Sequence, residues 1–242
     1  MPSRSETSYG NRLASAVKMA QAIQKFTPVY AEPAPDLSLT ALNNLVTELQ
    51  ALNGNVATGL QSYSSLVNER QLLYRTSPSS MQKLLPRIHS AVKALKGNTA
   101  QETEALRGYV TKMRSIPLKK PKTPASGSTT ETTETSISQN ELSYGSLAQT
   151  FADAVKVLES LTPAYNPPSA DIQLPALNAM ITSMNNSNAG VASAYAQLRL
   201  NREQRTEKYL ALGQLSQRIK NAVKSQYGTS SVEYGLIKGL KI

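Results

Sequence analysis

One stretch of this sequence recurs further along it. Thr27-Pro28-Val29-Tyr30 returns 135 positions later as Thr162-Pro163-Ala164-Tyr165. At the same offset Asp36 falls on Asp171, Leu42-Asn43 on Leu177-Asn178, Arg70 on Arg205 and Tyr74 on Tyr209. The offset then shortens to 131, pairing Arg87-Ile88 with Arg218-Ile219, Ala91-Val92-Lys93 with Ala222-Val223-Lys224 and Gly97 with Gly228. Glu102 likewise meets Glu233, and Arg107-Gly108 corresponds to Lys238-Gly239. The first copy therefore carries four more residues between Tyr74 and Arg87, around Arg75-Thr76-Ser77-Pro78-Ser79-Ser80. A segment written twice predicts two equivalent structural units and any shared site in duplicate.

Those units read as helical. With 2 Phe, no Trp and 40 % apolar residues, the cores must be filled mainly by Leu, Val, Ile, Ala and Met, which suits helix packing better than a sandwich or barrel. Apolar residues three or four apart predict a first helix over Gly10–Phe26 and Ser146–Leu161. Thr27-Pro28 and Thr162-Pro163 stop it, because proline disfavours helical geometry in the residue before it. A long second helix is expected from about Leu39, where the aligned Pro175 fits a first turn, as far as Tyr74 and Tyr209. Its stripe is read as Leu42, Leu45, Leu49, Leu52, Val56, Leu60, Tyr63 and Leu66. Asn53-Gly54-Asn55 and Asn188-Ala189-Gly190 put poor helix formers in its middle, which predicts a kink or a close crossing. A third helix is expected after Ser77-Pro78 and from about Gly213, ending on a left-handed cap at Gly97 and Gly228. Thr99-x-x-Glu102 and Ser230-x-x-Glu233 have capping-box spacing and start a short fourth helix.

The expected fold class is all-α: two homologous helical-bundle units from an internal duplication, packed as two bundles or as one pseudo-symmetric bundle. The first repeat covers 1–115 and the second 143–242. Between them, 116–142 runs from Lys119-Lys120-Pro121-Lys122 into Ser, Thr and Glu with little apolar content. Such a stretch cannot bury enough surface to offset its chain entropy, so it is expected to be a flexible linker. The uncharged run Ile172 to Leu198 contains Gln173, Asn178, Asn185, Asn186 and Asn188, a polar load that argues against a membrane helix. Met1 to Val17 lacks the apolar core of a secretory signal, which makes the cytoplasm the expected location.

Arg205-x-x-x-Tyr209, Ala222-Val223-Lys224, Tyr227-Gly228-x-x-Ser231-x-Glu233-Tyr234 and Leu236-Ile237-Lys238-Gly239-Leu240-Lys241 resemble a group of uncharacterised bacterial all-helical proteins. The similarity is strongest over Arg202 to Ile242. It implies a bacterial helical protein and carries over no functional residue.

Catalytic constellations are scarce. The absence of Cys removes thiolate metal sites and cysteine nucleophiles. His89 is the single histidine, and its counterpart is Lys220, so no shared triad or zinc site can be built on it. Asp36 with Asp171 precedes a helix, and Glu102 with Glu233 fits a cap, so each acid already has a structural reading. No phosphate loop or dinucleotide fingerprint is present. No enzyme activity and no cofactor are expected.

What recurs is basic: Arg70, Arg87, Lys93 and Arg107 against Arg205, Arg218, Lys224 and Lys238, in a chain of net charge +10. Arginine forks suit phosphate and carboxylate oxygens, which makes these eight the candidate anion-binding residues. The competing and favoured account has them snorkelling from buried faces, compensating helix ends or pairing with nearby glutamates. The sequence thus points first to a non-enzymatic helical interaction or scaffolding protein whose partner is another macromolecule. The alternative is binding of nucleic acid or another polyanion through a basic surface.

Overall fold

Seven-residue spacing organises the long helices. In the computed structural model, which describes the backbone of residues 4–115 and 132–242 and the side chains of 8–113 and 143–242, the buried line of α2 (Leu39–Gln71) runs Leu42, Leu49, Val56, Tyr63 and Arg70. A second line through Val46, Val67 and Tyr74 completes a 3.5-residue seam. In α6 (Leu174–Tyr227) the same spacing gives Leu177, Met184, Val191, Leu198, Arg205, Leu212 and Ile219, with Tyr209 and Val223 on the companion line. A seam of this period keeps one face of a long helix turned toward its neighbours. Of the stripe expected from the sequence, Leu42, Leu49, Val56 and Tyr63 are buried, whereas Leu45, Leu52, Leu60 and Leu66 are half-buried and Val46 and Val67 take the buried positions beside two of them.

The other helices are α1 (Arg4–Ile23), α3 (Met81–Lys96), α4 (Gln101–Ser115), α5 (Thr132–Glu159) and α7 (Val232–Lys238). Among the described residues there is no strand, and no helix is long and apolar enough to cross a membrane. Of the expected linker 116–142, residues 116–131 lie outside the described residues and 132–142 form the first turns of α5.

The described residues pack as two units. The first comprises 4–60 and 197–242, the second 61–115 and 132–196. Each joins residues from both halves of the chain, because α2 and α6 each give one portion to one unit and the remainder to the other. In the first unit Ala16, Met19, Ile23, Leu42 and Leu49 share a core with Leu212, Ile219, Val223 and Ile237. In the second, Leu84, Leu85, Ile88 and Leu106 share one with Leu147, Phe151, Leu158 and Leu177.

The expected break near Gly213 is absent: α6 continues unbroken to Tyr227. After α2, by contrast, the chain forms a π-turn at Leu72–Thr76, bends through Ser77–Ser80 and restarts as α3. The four additional residues and Pro78 account for the difference, since a lone glycine weakens a helix by about 1 kcal/mol but leaves its hydrogen bonds in place. The Asn-Gly region of α2 is likewise unbroken, and a Cβ on Gly54 would meet nothing within 4 Å, so no close crossing requires it.

Gly97 and Gly228 do end helical segments at positive φ, 90° and 94°. At Gly97 the ψ of 174° is mirror-extended rather than left-handed helical, so the expected cap geometry is corrected. The capping boxes are displaced too. Ser231, not Ser230, caps α7 by accepting from the Tyr234 N–H at 3.1 Å, and α4 starts at Gln101 with Thr103 Oγ1 donating to the Gly97 carbonyl at 2.9 Å.

Tyr30 and Tyr165 pin the loops that follow α1 and α5. Each hydroxyl donates to a carbonyl seven residues on, Leu37 at 3.3 Å and Ile172 at 2.8 Å. In the first unit that loop is gripped further: the Tyr227 hydroxyl donates to the Pro28 carbonyl at 2.6 Å, and Gln226 bonds the backbone at Val29 and Ala31. Burial pushes the Tyr165 hydroxyl up to about 12. Folding therefore favours its neutral form, and this contribution is complete below the ordinary value of 10.0 and is lost as pH rises toward 12. Urea unfolding between pH 9 and 12 is expected to show stability falling, with Tyr165→Phe removing at most about 1.4 kcal/mol per pH unit of that slope. An unchanged slope in the variant would count against the buried hydroxyl.

Candidate functional site

Several seam positions that would ordinarily hold hydrocarbon hold a matched polar set instead. In the first unit, Asn53 on α2 and Tyr209 and Arg205 on α6 meet Tyr9 on α1. Tyr209 Oη accepts from Asn53 Nδ2 at 3.0 Å and donates to the Tyr9 carbonyl at 3.1 Å. The two rings are 4.5 Å apart, and the Arg205 guanidinium lies 4.5 Å from the centre of the Tyr9 ring. In the second unit, Tyr74 Oη accepts from Asn188 Nδ2 at 2.9 Å and donates to the Tyr144 carbonyl at 3.3 Å. The Tyr74 and Tyr144 rings are 4.8 Å apart, with the Arg70 guanidinium 4.0 Å over Tyr144. Arg70, Tyr74 and Tyr209 are 0 % exposed and Arg205 is 5 %.

The chemistry of these clusters is that of a register lock. Asn53 and Asn188 each donate Nδ2–H to a tyrosine hydroxyl, while their Oδ1 atoms are buried with no partner among the described residues, so it is the amide N–H that favours one alignment of neighbouring helices over others. Burial raises the Tyr209 hydroxyl above its ordinary value, against the pull of Asn53 and of the Arg205 and Arg12 charges. It therefore stays protonated at neutral pH and serves as a hydrogen-bond bridge rather than a base. Arg12 is specific to the first unit, where its Nη2 donates to the Tyr209 carbonyl at 2.6 Å; the residue 135 positions later is Leu147.

A second matched pair fastens loop to helix. Arg87 on α3 bridges both oxygens of Asp171 and also donates to Ser169 Oγ at 2.7 Å. Arg218 on α6 pairs with Asp36. The aspartates stand in short 3-10 turns, Pro35–Leu37 and Ala170–Ile172, just before the long helices. The Arg87 hydrogen bonds, then the Ser169 hydroxyl, hold the Asp171 carboxyl below its ordinary value.

The eight candidate anion-binding residues thus divide four and four between the units and have distinct local settings. Arg70 and Arg205 lie buried over tyrosine rings, Arg87 and Arg218 hold aspartates, and Arg107 pairs with Glu104 one turn away at 3.0 Å. Lys93, Lys224 and Lys238 are exposed, each in the last turn of its helix, where a cation faces the negative end of the dipole. Lys220, the counterpart of His89, donates to the Leu240 carbonyl at 2.6 Å, and burial lowers its basicity. Among the described residues no group of three or more His, Asp or Glu is placed to hold a metal ion.

Tyr9 and Tyr144 were not singled out from the sequence, although a signal existed: Ser8-Tyr9-Gly10 recurs as Ser143-Tyr144-Gly145 at the 135-residue offset. Asn53 and Asn188 were read for their poor helix propensity, not as tyrosine partners. No protein-family model matches the chain, and the searches of curated proteins and of solved structures return no match either.

Proposed function

We propose that this chain is a non-enzymatic, cytoplasmic bacterial protein, built by internal duplication, that presents helical surfaces to another macromolecule as a scaffold or adaptor. One observation carries the reading: the recurring polar residues have structural settings inside their own unit or at helix ends, so the chemistry they could offer a substrate is already engaged. A surface suited to a partner lies in the first unit, where α1 and α7 border a concavity of about 330 Å³ lined by Gln21, Ala22, Lys25, Phe26, Val232, Glu233 and Leu236. Val232 and Leu236 there are 74 % and 57 % exposed, and exposed apolar residues grouped together favour association.

The test compares the wild type with a triple alanine variant of the exposed Lys93, Lys224 and Lys238 on fluorescein-labelled DNA, RNA and heparin at low and moderate salt. The scaffold reading expects weak binding that the triple substitution leaves within about twofold. Tight binding that falls steeply with salt and disappears in the variant would establish the polyanion alternative instead. A photo-crosslinking residue at position 236 should yield a discrete adduct in native host cells, suppressed by Val232→Glu.

A further inference from the structure

The two long helices diverge at one place. α6 passes straight through Tyr209 to Gly213, whereas the first copy widens into the π-turn at Leu72–Thr76 and detours through Ser77–Ser80 before α3. A π-turn rotates the following side chains about the helix axis, and such turns gather at functional sites. Here the detour borders a concavity of about 440 Å³ within the second unit. Its apolar wall is Leu72, Leu73, Leu84, Ala176 and Met180, and its polar groups are Glu69, Asp171, Ser77 and Ser79. Leu72 remains 53 % exposed beside it. At the aligned positions of the second copy, Glu207 and Lys208 replace Leu72 and Leu73, and Lys208 pairs with Glu48 at 2.7 Å. An apolar wall is thus peculiar to the detour.

The charges on its rim are unequal. Both oxygens of Asp171 are held by Arg87, and the Ser77 and Ser79 hydroxyls bond each other at 3.1 Å. Glu69 accepts a long bond from Ser65 Oγ at 3.4 Å and forms no ion pair among the described residues. One uncompensated carboxylate therefore borders hydrocarbon, a setting in which an opposite charge on an apolar body satisfies both surfaces and a like charge is repelled.

We propose that this pocket binds a small amphipathic cation: a free alkyl- or arylamine-type molecule whose apolar body lies on Leu72, Leu73, Ala176 and Met180 and whose ammonium group pairs with Glu69. An open pocket and a ligand of few atoms set the affinity at about 1 mM. The proposal is independent of the scaffold reading.

Titrating the full-length protein with hexylamine, hexanol and hexanoate, followed through its Leu and Met methyl NMR signals, tests it. Hexylamine is expected to shift the methyls of Leu72, Leu73 and Met180, hexanol to bind about fivefold more weakly, and hexanoate to leave them in place. Glu69→Gln, an exposed change that leaves the fold intact, should erase the preference of amine over alcohol. Ala176→Met should fill the pocket and weaken both. Equal binding of amine and alcohol to the wild type, a preference that survives Glu69→Gln, or shifts spread over Leu42 and Leu49 of the first unit would overturn the proposal. So would binding confined to a Leu/Lys helical peptide with no response to hexylamine.

Discussion

Tyr74→Ala and Tyr209→Ala are each expected to lower the free energy of unfolding by about 3–5 kcal/mol, the range for deleting a buried aromatic side chain. Both side chains are 0 % exposed, and each loss is compound. A cavity opens on the seam, the ring partner Tyr144 or Tyr9 loses its neighbour, and Asn188 or Asn53 loses the hydroxyl it bonds. The phenylalanine variants separate these contributions. Removing the hydroxyl alone leaves the asparagine amide N–H without its partner, while the Tyr144 or Tyr9 carbonyl keeps its place in a helix, and this costs about 1–3 kcal/mol. A double-mutant cycle of Tyr74→Phe with Asn188→Ala should therefore return a coupling of about 1 kcal/mol, and the cycle of Tyr209→Phe with Asn53→Ala a similar one. Urea denaturation of the six single and two double variants measures all of this. Alanine losses below about 1 kcal/mol would mean that the tyrosines are not the seam anchors described above.

The second large effect is on the backbone of α6. Gly213→Pro should cost about 3 kcal/mol or more, because proline removes the hydrogen bond to the carbonyl four residues back and its ring crowds that carbonyl. Gly213→Ala is the control. A Cβ there would lie 3.5 Å from Arg12 Nη2 and 3.8 Å from the Ile242 carbonyl, both ordinary contacts, so the alanine variant should be neutral or up to about 1 kcal/mol more stable. Thermal and urea unfolding of the pair decides the matter: a proline tolerated as well as alanine would place a chain break at 213 after all.

That break is also the clearest case of what the sequence could and could not convey. The helices before Thr27-Pro28 and Thr162-Pro163 end at Ile23 and Glu159, two or three residues short of the expected Phe26 and Leu161, and Gly97 and Gly228 close theirs, because proline and positive-φ glycine act on the backbone locally. Gly213 carried no such compulsion. In a helix at negative φ it costs something and forbids nothing, so the packing of Leu212 and Ile219 on either side prevailed. The seven-residue spacing from Leu42 to Arg70 was visible in the sequence, yet leucines at 45, 52 and 66 competed with it for the buried face, and an arginine at its end does not read as a core residue. The Tyr144 ring that the fold brings 4.0 Å from it favours a guanidinium there. The ion pairs were hidden for a different reason: Arg87 and Asp171 are far apart in sequence, as are Arg218 and Asp36, and nothing local couples them.

The unbroken passage of α2 and α6 from one packed unit into the other has a consequence for assembly. A polypeptide severed between α4 and α5 leaves two fragments, neither of which holds enough of either core to close it: Leu42 and Leu49 would stay on one piece while Leu212 and Ile219 stayed on the other. Folding and mutual recognition then become one event, so the fragments should be unstructured apart and regain helicity on mixing. By the same logic, two intact molecules crowded together could trade halves, each completing the other.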